Sequence, residues 1–204
     1  YQLIAVLGLG GGRNYFVGLD NKWMCGVVPS AFRGYSFTLL TNSESADRVL
    51  CIDEGHLSED SNDTALFQED GELDPSTAGV LDFLNKCDYN RILTQKACDS
   101  LAEANIIEPW PLKISAGDDE EAVSIEWLYR INEPALNSLS RSALAVLRST
   151  NALPLAYAQL FSTNQLKQLS ERAKLLDLQV AQVDSNQGIS GIFEDEGSLN
   201  FDGI

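Results

Sequence analysis

Between Asp74 and Asn105, the apolar residues Val80, Leu81, Leu84, Cys87, Ile92, Leu101 and Ala104 recur at a roughly helical period. Asp74 offers a capping side chain, and Pro75 suits the first helical position, where its missing N–H costs nothing. The pattern predicts one long helix from Asp74–Pro75 to a stop near Asn105. It is long enough to be a central element against which a sheet can pack. In a chain of 204 residues, with β-patterned segments on both sides, that helix makes the fold α+β.

Residues 1 to about 53 read as β. The apolar run from Gln2 to Leu9 ends at Gly10-Gly11-Gly12, a turn signal. Asn14 to Val17 and Trp23 to Val28 follow as strand segments around a polar turn at 19–22, and Tyr35–Leu40 and Val49–Ile52 supply further strands. Residues 54–74 form an acidic loop in which only Leu66-Phe67 offers a core anchor. After the helix, Ile106–Ser115 looks extended. The charged turn 117–121 leads into an alternation that puts Val123, Ile125, Trp127, Tyr129 and Ile131 on one face, with Leu128 the exception. The two runs suggest a hairpin. From Asn132 onward, leucine pairs at helical spacing predict several short helices, with Asn132, Ser140 and Thr163 as caps and Asn151 as punctuation. The expected architecture is therefore α+β: an antiparallel N-terminal sheet or partial barrel, a central helix and hairpin, and a C-terminal helical segment. Residues 1–178 read as one domain. Residues 179–204 read as an acidic C-terminal tail, which Ile189, Ile192, Phe193, Leu199 and Phe201 would dock.

Charge narrows the partners. Thirty Asp and Glu against fourteen Lys and Arg give a formal net charge of −16. Such a surface repels phosphate backbones and anionic membrane surfaces, so nucleic acid is excluded as a first expectation. It favours solubility and attracts cations or a basic partner. The four cysteines, Cys25, Cys51, Cys87 and Cys98, form no C-x-x-C pair and read as buried free thiols of a reducing compartment. No apolar run is long enough to span a bilayer. The opening run also lacks signal-peptide grammar, so the expected location is cytoplasmic unless a leader lies upstream of Tyr1, in which case the envelope is open to it.

Catalytic templates fit poorly. Gly8-Leu9-Gly10-Gly11-Gly12 lacks the third glycine and the helix that a dinucleotide loop needs, and reads as a hairpin turn. His56 is the sole histidine. Zinc sites combine several His or Cys ligands, so neither metal nor cofactor is expected. His56 lies near Asp53 and Glu54, which could orient it as a base, but no nucleophile elbow accompanies it, and it reads as a solvated loop residue. An EF-hand counted from Asp60 meets Thr64 and Ala65 at its fifth and sixth positions, leaving only a non-template Ca²⁺ site open. The most suggestive group is Trp23, Arg33, Tyr35 and Asp53: aromatic platforms with Arg and Asp suit sugar or peptide recognition. The plainer alternative puts the aromatics in the core and Arg33, in a loop between strands, in an internal ion pair.

Three blocks carry a family resemblance. The first is Gly8-Leu9 through Asn14-Tyr15-Phe16-Val17, then Trp23, Gly26, Val28-Pro29, Arg33, Tyr35 and Phe37. The second is Cys51-Ile52-Asp53, the acidic loop, Leu66-Phe67 and Leu81-Asp82-Phe83-Leu84. The third is Leu136-Asn137-Ser138-Leu139 and Leu155 through Ser162. In order and spacing the chain resembles the SapC family of bacterial surface-layer-associated proteins, up to about Leu176. It does not resemble the multi-span transporter subunit that shares the name. The resemblance implies an envelope or nutrient-uptake association, through neighbouring TonB-dependent receptors and tryptophan-halogenase-like proteins, and carries over no catalytic residue. Members usually have a further stretch before the position of Tyr1, and Gln159 stands where a histidine is more usual. The expectation is a non-catalytic binding or accessory protein recognising a glycan, a peptide or an envelope protein. A structural surface-layer component, an enzyme of unrecognised mechanism and a homo-oligomeric state stay open.

Overall fold

In a computed structural model of the chain, the described residues are 1–8, 12–42, 47–60, 62–114 and 123–194. The charged turn 117–121, with Leu199 and Phe201 of the tail, lies outside them. The chain divides into two units. The first comprises Tyr1–Ala5, Val27–Pro111 and Glu126–Gln159; the second comprises Val6–Gly26, Leu112–Ile125 and Leu160–Ile204.

The first unit is built on the long helix, here α2, spanning Pro75–Glu103. The Asp74 carboxylate accepts from the Ser76 backbone N–H at 2.9 Å and from its hydroxyl at 2.6 Å, satisfying an amide that the first turn leaves without a partner. At the other end, Asn105 takes a left-handed φ of 55°, which asparagine tolerates, and reverses the chain. The expected bounds therefore hold to within a residue or two. The C-terminal part of α2 buries Ala97, Cys98 and Leu101, whereas its first turns bury only Thr77.

Before α2, helix α1 (Ser30–Arg33) leads into an antiparallel pair, β1 (Phe37–Thr41) and β2 (Arg48–Ile52), in which Phe37 faces Ile52. Gly34 is buried so close to α2 that a Cβ there would stand 2.7 Å from Leu84 Cδ2. The Arg33 guanidinium lies 4.8 Å over the Phe83 ring, and Arg48 of β2 pairs with Asp88 of α2. After α2, β3 (Ile107–Pro109) pairs antiparallel with β6 (Tyr129–Ile131), and Asn132 opens α3 (Glu133–Asn137) by accepting from Ala135 N–H at 2.8 Å. Ser140 caps α4 (Arg141–Ser149), Asn151 turns the chain with a φ of 57°, and α5 (Ala152–Ser162) follows. Ile106, Leu128, Ile131, Leu136, Leu147, Ala152 and Ala156 complete this unit's buried set.

In the second unit a single bridge joins Val17 to Trp23, and β4 (Leu112–Ile114) pairs antiparallel with β5 (Val123–Ile125). Helix α6 (Leu166–Glu194) buries Leu169 and Leu176, and Asp177 on it accepts from Arg13 at 2.8 Å.

The α+β class is as expected, and several local expectations are corrected. Residues 2–8 form no regular strand. The segments around Val17 and Trp23 share only one bridge, so the N-terminal pairing reduces to β1–β2. The alternating run 123–131 breaks at 126–128 into β5 and β6, and the break shifts the side-chain phase. Leu128 is consequently buried, while Trp127 and Tyr129 are exposed. Thr163 is not a cap: it starts a 3₁₀ turn, and its hydroxyl donates back to the Leu160 carbonyl at 2.7 Å. Of the four free cysteines only Cys98 is buried, and that burial pushes its thiol pKa up. Among the described residues, no helix is long and apolar enough to cross a membrane.

Candidate functional site

The site grows from the point where β2 ends. Asp53 leaves the strand, donates its backbone N–H to the Ser36 carbonyl at 3.0 Å, and turns its carboxylate back on the chain to accept from Gly55 N–H at 3.1 Å. That Asx turn starts the 3₁₀ turn Glu54–His56 and brings the His56 imidazole alongside. The second Asp53 oxygen accepts from the Tyr35 hydroxyl at 3.3 Å and lies 3.6 Å from His56 Nδ1, beyond hydrogen-bond length. The Tyr35 ring meets the His56 ring edge-on, with centroids 5.0 Å apart. Desolvation, then the charge and hydrogen bond of Asp53, hold the Tyr35 phenol above its ordinary pKa. The Tyr35 hydroxyl is thus the hydrogen-bond donor of the pair and the Asp53 carboxylate its acceptor.

Beside this cluster lies a cleft of about 750 Å³. One wall is the β1–β2 pair, through Ser36, Phe37 and Ile52. The floor is the first two turns of α2, through Ser76, Thr77 and Val80. The far wall is the acidic loop, from His56 through Glu59, Asp60 and Asp63 to Leu66. Backbone structure shapes the loop more than apolar anchoring does. Asp60 accepts from Asn62 N–H at 2.9 Å, Phe67 bridges to Leu73, and Gly71 turns the chain with a φ of 85°. Phe67 is 59% exposed, so the expected Leu66-Phe67 anchor reduces to Leu66. Among the described residues, no three His, Cys, Asp or Glu side chains come close enough together to hold a metal ion.

The four residues singled out from sequence separate. Tyr35 and Asp53 meet directly. Arg33, the last residue of α1 and not a loop residue, spreads over the Phe83 ring and forms no core ion pair among the described residues. Trp23 belongs to the second unit, half-buried and stacked on Phe16 with ring centroids 5.6 Å apart. Tyr35 is 67% exposed, so it is no core aromatic. Sequence reasoning left His56 out of the group and missed Thr77 altogether. The signal for His56 was Asp53-x-Gly55-His56, an Asx-turn pattern; for Thr77 it was its place three residues after the capping Asp74. Gln159, at the position where the resemblance leads one to expect histidine, accepts from the Ile131 backbone N–H at 2.9 Å and so supports β6.

The SapC family model matches residues 1–169 of the chain. No curated protein and no solved structure matches it.

Proposed function

The chain belongs to the SapC family, and from that premise we propose that it is a non-catalytic binding or accessory protein of the bacterial envelope or of nutrient uptake, with the first unit's cleft as its binding site. The observation that carries this reading is the cleft itself. It has room for a ligand of several heavy atoms and an apolar strip at Phe37, Ile52 and Val80, bordered by hydroxyls and carboxylates. Tyr35 and Asp53 do not line the cleft but adjoin its lining residues Ser36 and His56, and would offer a polar pair to a ligand that extends beyond it, with Arg33 steadying α1 on α2. Trp23 is a separate aromatic candidate in the second unit. Residues 1–178 are taken as the functional domain and 179–204 as an acidic extension, in keeping with a family match that ends at residue 169.

An enzymatic reading has one observation in its favour, the meeting of Tyr35, Asp53 and His56. Against it, the 3.6 Å Asp53–His56 separation does not fix the imidazole tautomer as a general base requires. Native mass spectrometry of the purified chain, with and without CaCl₂, is the discriminating experiment. A monomer or small oligomer indifferent to Ca²⁺ is the expected result. Ordered oligomers that require Ca²⁺ would replace the binding reading with a structural surface-layer role.

A further inference from the structure

We propose that the cleft receives a basic side chain, lysine or arginine, from a polypeptide partner; this rests on the binding reading above and names the chemistry of that site. Glu59, Asp60 and Asp63 line one wall, and among the described residues no Lys or Arg lines any wall. None of the three carboxylates forms an ion pair among the described residues. That wall therefore carries three carboxylates with no ion-pair partner among the described residues. The helix N-terminus at its floor would ordinarily favour an anion. Here Asp74, held below the usual carboxylate pKa by its bonds to Ser76, already sits on that end and cancels its preference.

Thr77 is the second, independent observation. It is 5% exposed, lines the cleft, and makes no side-chain hydrogen bond among the described residues. Among the described residues no fully enclosed side-chain polar atom lacks a partner, so the Thr77 hydroxyl is open to solvent, and Thr77 lines the cleft. A hydroxyl so nearly buried, with no protein group bonded to it among the described residues, is left to solvent or to a ligand that enters the cleft. An ammonium or guanidinium suits it, because the hydroxyl oxygen accepts from it. The apolar strip of Phe37, Ile52 and Val80 then packs the methylene stem, as long basic side chains require. The chain's net charge of −16 speeds encounter with a basic partner.

The test is an amide-shift titration of the ¹⁵N-labelled full chain with acetyl-trilysine amide and with the same peptide acetylated at every ε-amine. The expected result is saturable shifts at Asp63, Thr64, Leu66 and Thr77 with the charged peptide. Affinity should fall at least tenfold on acetylation and about tenfold in the doubly neutralised E59Q/D63N variant. Thr77→Val should weaken binding severalfold with an unfolding midpoint that is unchanged or raised. Equal response to the two peptides overturns the proposal. So does an identical shift pattern with CaCl₂ alone, which would make the carboxylates a cation site. If the neutral sugar chitotriose shifts these amides and trilysine does not, the ligand class falls and the binding reading stands. Silence of the cleft to all of them overturns both.

Discussion

The two ends of α2 are chemically opposite. Its C-terminal part presents Ala97, Cys98 and Leu101 to a core shared with Ile106, Leu136 and Leu147. Its N-terminal part buries one residue, Thr77, and that residue is polar and faces a cleft bordered by carboxylates. One continuous hydrogen-bonded element thus joins a region set by apolar packing to one that keeps unmatched polarity. A rigid helix allows the second because the first holds it: apolar burial at one end fixes the position of hydroxyls at the other.

Truncation tests this contrast most strongly. Leu101→Ala should cost about 2–5 kcal/mol in urea unfolding, the usual range for a cavity left in a packed core. Thr77→Val, of similar shape, should leave the urea midpoint nearly unchanged or raise it, because it removes a hydroxyl that has no side-chain bond among the described residues to lose. Equal losses at the two positions would erase the distinction between the ends.

A smaller effect is expected at the cap. Because the folded-state pKa of Asp74 is depressed by its Ser76 bonds, its stabilising contribution is present above the unfolded carboxylate pKa and is lost as pH falls through the folded value. Asp74→Ala should therefore lower the thermal midpoint at neutral pH. The difference from the parent chain should shrink on acidification below the ordinary carboxylate range of about 4. A difference that persists at the lowest pH would show that Asp74 acts by something other than its charge.

The smallest effect is spectroscopic. Absorbance titration should find the Tyr35 phenol ionising above the ordinary range, and Asp53→Asn should bring it part of the way back. The return should be partial because desolvation, the larger cause, remains. Full return would mean that Asp53 alone sets the shift.

Much of this was legible in the residues. Asp74-Pro75 and Asn105 mark both ends of α2 because capping and left-handed φ are local chemistry, decided within a turn of the residue concerned. The caps at Asn132 and Ser140 and the turn at Asn151 were readable for the same reason. Where burial depends on distant partners, the pattern misled. An unbroken alternation from Val123 to Ile131 names one face, but the break at 126–128 buries Leu128 and turns Trp127 and Tyr129 outward.

The site divides in the same way. The sequence by itself determined the family, the α+β class, the acidic balance and the local turn that sets His56 beside Asp53, since each is written in composition or in neighbours a few residues apart. Only the tertiary structure decided that Tyr35 reaches Asp53 across eighteen positions, that Trp23 lies in a different unit from them, and that Thr77 and the acidic loop enclose one cleft. The physical reason is that a cleft is a relation between segments packed by non-local apolar burial, and no local propensity encodes which polar groups that packing will leave facing one another.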